Sequence, residues 1–426
     1  MFEKPDWLLD VYGPLLRAVF FIGHGLRKVC GLGRRFTPRR RALVGPPPAP
    51  GGGPISDGNA GADVPVNVNR ILEMISGPRG CPGIAAVALR GDRVIAQGVA
   101  GLRKRGGPEL IAPGDQFHLG SCGKATTATV AAILIEEGKL DWTATLDELF
   151  AGAVVNIHSA WRNVTLQQVL DHRAGLVRDT SPKLRTRMVS STRPLPQQRR
   201  EIVATVLARP PTHRPGRKLV YSNTGYMLVG AALEKISGLD WPDLLRERLF
   251  QPLGITTGGF GVPGSPGKVD QPWGHFPITG KPVDPGDPAA EAPLFDIPAG
   301  LLHMSITDWA KFITLHLRGD AANPHRQTKL LKPGTFAKLH SAEPGQSYRS
   351  GWSLETRDWA KGAQPGAMGR VLCHGGTNFR WHSFVWVAPE IDFAVLVACN
   401  RGMDFISWSA CQQAGGMLIA EFASKP

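Results

Sequence analysis

The chain has 426 residues, 42% of them hydrophobic, so it can bury a substantial core. Its formal charge of +14 would suit a nucleic-acid-binding protein if the cations clustered on the folded part. They concentrate instead in residues 27–41 near the N-terminus, and elsewhere they are mixed with acidic residues. We therefore expect a globular protein with no nucleic-acid partner.

Residues 1–43 form an apolar and basic leader. The apolar part contains Asp10, Pro14 and Arg17, so no uninterrupted apolar span is long enough to predict a transmembrane helix. Most of its positive charge follows the apolar part, which is the reverse of a secretory signal. Two interpretations stay open: residues 5–41 form an amphipathic helix in peripheral contact with an anionic membrane, or they are an extension without defined structure.

Residues 44–63 are rich in proline and glycine and predict a linker. Residues 64–426 then carry the pattern of a folded domain. Its first part, residues 83–102, reads as two strands joined at Arg90-Gly91-Asp92. Its last part contains three strand-like segments, residues 350–355, 380–388 and 392–400, and a closing helix, residues 405–423. Helical segments lie between the two ends, at residues 127–138, 165–172, 225–238 and 305–319.

Strands at both ends with helices between them predict an α/β (α+β) fold. In this fold, one antiparallel sheet is formed from both chain ends, is flanked by helices and carries an inserted, mainly helical lobe. We expect a ligand site in the cleft between the sheet and the lobe.

Six cysteines are present, and their spacing includes no CxxC pair and no Cys/His pattern typical of zinc sites. Cys122, Cys373 and Cys399 lie in apolar segments, where cysteine usually behaves as a small hydrophobic residue. We therefore expect neither disulfides nor a bound metal.

The segment HLGSCGKATTA, residues 118–128, has two chemical interpretations. A phosphate-binding loop ending at Gly123-Lys124 would need glycine at position 118 and serine or threonine at position 125. The sequence has His118 and Ala125 there, so the turn around phosphates and the magnesium-ligating hydroxyl are both missing. Nucleotide binding is thus the weaker interpretation.

The alternative interpretation makes Ser121 a nucleophile and Lys124 its activator. They are three positions apart, which places both on one face if a helix begins there. The positive end of the helix dipole would favour an oxyanion, and burial would lower the pKa of the lysine so that its neutral amine can accept the serine proton. SxxK is common by chance, and a second copy, Ser265 to Lys268, lies in a Pro/Gly loop with no predicted helix after it.

Two further motifs accompany the first. Tyr221-Ser222-Asn223 stands at a predicted loop-to-helix junction, in a chain with only four tyrosines. His374-Gly375-Gly376 precedes a predicted strand, and its glycines would let a substrate approach the backbone closely. Structural roles stay open for these residues: Ser121 or Asn223 as a helix cap, Lys124 as a solvated helix residue, Tyr221 as a packed aromatic and His374 as a buried histidine.

In this order the three motifs resemble the class C β-lactamase and D-alanyl-D-alanine peptidase superfamily of SxxK serine hydrolases. The resemblance covers residues 64–422 and includes segments around the motifs, such as YSNTGYMLVGAALEKISG. It implies that Ser121 is the nucleophile, that Lys124 activates it and that Tyr221 is the general base. It also implies that Asn223 and His374 contact the substrate. The oxyanion hole would comprise the backbone N–H groups of Ser121 and Thr377, beside Gly376.

One position departs from the class C pattern, because His374 replaces the lysine of the third motif. A histidine is mostly neutral at pH 7, so attraction for an antibiotic carboxylate is weakened, although Arg380 could supply a charge nearby. The resemblance therefore implies a cofactor-free and metal-free hydrolase of small esters, amides or peptides, esterase-like or D-amino-acid peptidase-like. A β-lactamase and a catalytically idle scaffold remain alternatives, and substrate, oligomeric state and localisation (cytoplasmic, membrane-associated or, by family analogy, periplasmic) are not determined.

Overall fold

The computed structural model describes residues 67–77 and 80–424, and residues from Asn67 onward cluster into one compact unit. The leader and the predicted linker lie outside the described residues. The main element is a seven-stranded sheet in the order β2-β1-β12-β11-β10-β9-β8, in which every neighbouring pair is antiparallel. Its strands are β1 Gly83–Arg90, β2 Arg93–Gly101, β8 Tyr348–Arg349, β9 Trp352–Thr356, β10 Arg370–Thr377, β11 His382–Ala388 and β12 Phe393–Cys399.

The two chain ends meet in the middle of this sheet. Strand β1 pairs with β12 in the register Ile84 opposite Cys399 and Arg90 opposite Phe393. Successive residues of β1 and β12 point to opposite faces, and nearly all of them are buried because helices cover both faces. The predicted sheet from both chain ends is confirmed.

The helices and the two small sheets are supplied mainly by the middle of the chain. Short strands β3, β4 and β7 form one small sheet, and β5 and β6 form another. The helices are α1 Val68–Ile75, α2 Lys124–Glu136, α3 Leu146–Phe150, α4 Leu166–Leu170, α5 Pro182–Val189, α6 Leu195–Leu207, α7 Asn223–Ser237, α8 Trp241–Leu245, α9 Gln251–Leu253, α10 Ile306–Gly319, α11 Pro333–His340 and α12 Phe405–Phe422, and the short strands are β3 Gln116–His118, β4 Gly259–Phe260, β5 Gly274–His275, β6 Pro282–Val283 and β7 Leu302–Ser305.

Helix α2 runs through the core between the sheet and the helical lobe. It is buried along almost its whole length, as its apolar sequence on all sides predicts. It contacts α7 in the lobe, and the turn before it contacts β10 and β11 of the sheet. Within the described part of the chain, no helix is long and apolar enough to span a membrane.

One strand of the sheet was not predicted. The motif His374-Gly375-Gly376 precedes the predicted strand, which is β11, but it also lies inside a strand of its own, β10, whose residues Leu372 to Thr377 pair with β11. The glycines carry no apolar side chain, so no apolar pattern marks this strand. Their backbone groups nevertheless make the ladder, and the missing side chains allow another segment to approach.

Candidate active site

Ser121 lies in a short 3₁₀ turn, Gly120–Gly123, that leads directly into α2. The serine is partly exposed, whereas its neighbours Gly120 and Cys122 are buried. Gly120 has a φ of 50°, and a Cβ on it would collide with the backbone nitrogen of Thr377. Only glycine therefore lets this turn approach β10 so closely.

Lys124 is the first residue of α2 and is fully buried. Its Nζ donates to Ser121 Oγ at 3.2 Å, to Asn223 Oδ1 at 2.7 Å and to the carbonyl oxygen of Ala299 at 2.7 Å. Burial, with a smaller contribution from the Arg178 cation, lowers the pKa of Lys124 to about 7. Near neutral pH the amine is therefore partly unprotonated.

The acceptors around Lys124 determine where a neutral amine directs its lone pair. Asn223 Oδ1 and the Ala299 carbonyl can only accept hydrogen bonds, so they take the two N–H groups of a neutral amine. The Ser121 hydroxyl can also donate, so it is the partner for the lone pair. This geometry allows proton transfer from Ser121 to Lys124.

Asn223 reaches the lysine because of the local structure at the start of α7. The N-cap is Ser222, whose hydroxyl accepts from the Gly225 N–H at 2.9 Å, so Asn223 is the first helical residue rather than the cap. Its Nδ2 donates to Asp179 Oδ1 at 2.8 Å, which leaves Oδ1 for Lys124. The sequence analysis did not identify Asp179 or Ala299, because neither belongs to a motif.

Tyr221 precedes this N-cap and is buried with its ring below Lys124, whose Nζ lies 4.7 Å from the ring centroid. His172 lies against the same ring at a centroid distance of 4.3 Å, and its Nδ1 accepts the Ser222 N–H at 3.1 Å. Burial lowers the pKa of His172 well below its usual value, so the ring is neutral. His172 therefore positions the Tyr221 segment.

His374 is buried in β10 beside Tyr221 and Tyr348. Burial lowers its pKa to about 3, so it is neutral. Its Nδ1 donates to the Gly375 carbonyl at 2.6 Å, and its Nε2 lies 3.2 Å from the Tyr348 hydroxyl, which then donates. The ring thus supplies no positive charge to the cleft, which agrees with the weakened attraction expected from the sequence.

Gly376 and Thr377 lie against the nucleophile turn. A Cβ on Gly376 would collide with the Leu119 carbonyl oxygen and would lie 2.9 Å from the backbone nitrogen of Ser121. The N–H groups of Ser121 and Thr377, predicted to form the oxyanion hole, therefore belong to two segments in direct contact. Such a pair of N–H groups is the usual construction of an oxyanion hole.

A pair of side chains, His118 and Glu291, supports the turn that carries Ser121. His118 Nδ1 accepts the Gly120 N–H at 3.0 Å, and His118 Nε2 lies 2.9 Å from Glu291 Oε2. Arg380, the other candidate for a charge in the cleft, places its guanidinium 3.9 Å from the ring centroid of Phe276 and donates to the Phe379 carbonyl. The second SxxK copy lies in a turn, and no helix follows Lys268.

Comparisons with known proteins find similarity over most of the chain. The sequence profile described as "Beta-lactamase" matches residues 68–404. Penicillin-binding protein 4 of Amycolatopsis lactamdurans is 25% identical over 341 residues, covering 76% of this chain and 81% of that protein. Protein flp of Staphylococcus aureus strain COL is 21% identical over 332 residues, covering 76% of this chain and 61% of that protein.

Solved structures share the fold. A class C beta lactamase from Rhodobacter sphaeroides superimposes with a TM-score of 0.61 at 18% identity, covering 80% of this chain and 95% of that one. A D-stereospecific amidohydrolase from Streptomyces sp. gives a TM-score of 0.61 at 20% identity, covering 84% and 98%. Since the family profile spans most of the sequence and includes all three motifs, the chain belongs to the beta-lactamase family, in the superfamily of penicillin-binding proteins and class C β-lactamases.

Proposed function

We propose that this protein is a serine hydrolase that cleaves an ester or amide bond through an acyl-Ser121 intermediate. The carrying observation is the environment of Lys124. This buried amine has a pKa near 7, and two acceptor-only groups hold its N–H bonds while Ser121 Oγ lies 3.2 Å away. A lysine with a purely structural role would not need its free lone pair directed at a serine hydroxyl.

In the proposed reaction, Ser121 Oγ attacks the substrate carbonyl carbon while its proton passes to the neutral amine of Lys124. The negative charge that develops on the carbonyl oxygen is bound by the N–H groups of Ser121 and Thr377. The proton then moves to the leaving alcohol or amine. In this proposal the Tyr221 hydroxyl is its carrier, since Lys124 Nζ lies 4.7 Å from the centroid of the Tyr221 ring. Water attacks the acyl-enzyme by the same route in reverse and releases the acid and free Ser121.

The substrate class follows from the charges around the cleft. His374 is neutral, so the wall that carries a lysine in class C β-lactamases lacks a permanent cation here. This favours small esters and D-configured amides over β-lactam antibiotics. A D-stereospecific amidohydrolase with the same fold supports the amide alternative.

A covalent probe tests the hydrolase function. A fluorophosphonate should label the wild-type protein, and Ser121→Ala should abolish the labelling because the probe reacts with an activated serine hydroxyl. Ser265→Ala is the matched control, since Ser265 has the same SxxK spacing without a helix and should leave labelling unchanged.

Labelling that persists in Ser121→Ala, or wild-type protein that does not react, would contradict the proposal and favour a catalytically idle member of the family. If Ser121 is labelled, turnover of short-chain nitrophenyl esters, D-Ala-D-Ala peptides and a chromogenic cephalosporin should be compared. We expect the ester to be hydrolysed fastest and the cephalosporin slowest.

A further inference from the structure

A second cluster of reactive side chains lies away from the catalytic motifs, between the sheet and helix α12. Cys81 precedes β1, His382 begins β11, Cys399 ends β12, and Cys411 lies in α12. His382 and Cys399 are directly opposite each other in the β11–β12 ladder. All four side chains are buried, and the cysteines are free thiols.

The distances within this cluster suit tetrahedral coordination. The sulfurs of Cys399 and Cys411 are 4.0 Å apart. A ring nitrogen of His382 and these two sulfurs all lie within 4.8 Å of one another. The Cys81 thiol is within hydrogen-bonding reach of Cys399. Zinc–sulfur bonds of about 2.3 Å at tetrahedral angles place two sulfurs roughly 3.8 Å apart, so a small contraction would bring His382, Cys399 and Cys411 to one metal. Cys81 lies outside this group of three, so its thiol must move further to join as a fourth ligand.

The polar groups of the cluster are poorly satisfied without a ligand. His382 is 1% exposed, and its Nδ1 is enclosed with no hydrogen-bond partner of normal geometry among the described residues, although the Ser407 backbone lies nearby. Thiols are weak hydrogen-bond partners, so the three sulfurs offer the imidazole little compensation. A buried polar atom left in this state destabilises the fold unless something binds it.

The identity of the ligand follows from the donor atoms. Thiolate sulfur with imidazole nitrogen is the donor set of zinc, whereas calcium and magnesium prefer oxygen ligands. Asp404, the nearby carboxylate, is held by Arg401 at 2.7 Å and does not join the donor set. Three sulfurs and one imidazole match the composition of structural zinc sites, in which the metal has no open position.

We propose that His382, Cys399 and Cys411 bind one zinc ion, with Cys81 as the fourth ligand, at a structural site that ties the start of the domain to its last strand and last helix. Binding releases one proton from each coordinating thiol, and the metal replaces those protons at the sulfurs. No metal was expected from the sequence, because the four residues have no zinc-type spacing. His382, Cys399 and Cys411 lie within 30 residues of one another, and the fold adds Cys81 from more than 300 residues before His382.

Cobalt substitution tests this site on the full-length wild-type protein. We expect about one cobalt ion per chain, with the charge-transfer absorption in the near ultraviolet that thiolate coordination produces, and displacement of cobalt by zinc. Elemental analysis of protein purified without chelator should find zinc at the same stoichiometry. Zinc should also slow the reaction of the thiols with a disulfide reagent.

Two variants locate the site, and two others serve as controls. Cys399→Ser and Cys411→Ser should each abolish the absorption band and most of the bound metal. Cys373→Ser is the matched control, since Cys373 is an equally buried thiol outside the cluster, and it should retain both. Ser121→Ala should also retain both, so failure of the proposed hydrolase function would leave the metal result unaffected.

Wild-type protein that takes up no metal and shows unchanged thiol reactivity would overturn the proposal, and this measurement does not depend on the folding of any variant. Metal binding that survives in a Cys399→Ser/Cys411→Ser double variant would equally overturn it. A metal-free protein in which mild oxidation joins Cys399 to Cys411 would replace the zinc site with a disulfide.

Discussion

Two charged residues of opposite sign at the surface shift the pKa of the buried Lys124 amine. Arg178 and Asp179 are neighbours at the rim of the cleft, and both act on Lys124 through its burial in a low-dielectric site. Burial is the largest cause of its lowered pKa, Arg178 lowers it further, and Asp179 raises it. The pKa of about 7 therefore depends on both rim residues.

The opposite effects of Arg178 and Asp179 on the Lys124 pKa predict the pH dependence of the proposed reaction. Because neutral Lys124 is the active form, kcat/KM should fall by about tenfold per pH unit below the Lys124 pKa of about 7 and level off above it. Arg178→Gln removes a cation, raises the pKa and should shift this acidic limb to higher pH. Asp179→Asn removes an anion and should shift the limb to lower pH.

The pH–rate profiles of the two variants and the wild type check this prediction. Arg246→Gln, which removes an exposed arginine paired with Asp243, is the control and should leave the limb in place. Shifts of the same sign in Arg178→Gln and Asp179→Asn, or no shift in either, would contradict the assignment of the limb to Lys124.

At the scale of elements, the site depends on the close approach of strand β10 to the turn before α2. Gly376 faces the Leu119 carbonyl and the Ser121 nitrogen, and Gly120 faces the Thr377 nitrogen. Each segment therefore contributes one glycine to the contact. The N–H groups proposed to bind the oxyanion depend on both glycines, because a side chain at either position would separate the segments.

This close contact predicts that one methyl group added at position 376 lowers catalytic activity. Gly376→Ala should lower kcat/KM for an ester by about 100-fold or more, because its Cβ would push β10 away from Ser121 and remove an oxyanion donor. Ester kinetics and thermal unfolding measure the two consequences.

Gly334→Ala is the control for this substitution. Gly334 lies in α11, where a Cβ would have no neighbour within 4 Å, so activity should persist and stability should stay equal or rise slightly. A fully active Gly376→Ala enzyme would show that the N–H of Thr377 is not an oxyanion donor.

At the scale of the whole molecule, buried histidines make the fold sensitive to acid. Burial lowers the pKa of His303 to about 4 and that of His374 to about 3, and it lowers those of His172 and His316 well below the usual value. As the pH falls through about 6.5, the unfolded chain binds protons at these residues while the folded chain does not. Stability is therefore fully present above that pH and is lost as the pH falls toward 4.

We expect the unfolding temperature to decrease steadily between pH 6.5 and pH 4.5. Each such histidine contributes up to about 1.4 kcal/mol per pH unit. The carboxyls of Asp296, whose pKa burial raises to about 6, and of Asp171, whose pKa burial also raises, act in the opposite direction but are two groups against these four histidines. His303→Gln should flatten the decrease relative to wild type, whereas replacing the exposed His325 with Gln should leave it unchanged. A flat stability profile over this range would contradict the prediction.

The fold could be predicted well from the sequence, because helices and strands leave patterns of apolar residues over short stretches of the chain. Alternating and helical patterns of apolar residues identified β1, β2, β9, β11, β12 and five of the twelve helices in the described part of the chain, and strands at the two chain ends implied a shared sheet. Strand β10 was not predicted, because Gly375 and Gly376 interrupt its apolar pattern. Its partner β11 is the next strand along the chain, so the missing side chains and not the separation in sequence explain the omission.

The sequence by itself determined the family, the order of the three motifs and the absence of a permanent cation at position 374, since residue types and spacing are sufficient for each. Only the tertiary structure decided which groups surround Lys124, because Ala299 and Asp179 reach it from loops that no motif marks. The same holds for the cluster of His382, Cys399 and Cys411. A pKa, an oxyanion hole and a metal site all depend on distances between residues far apart in the chain, and folding alone sets those distances.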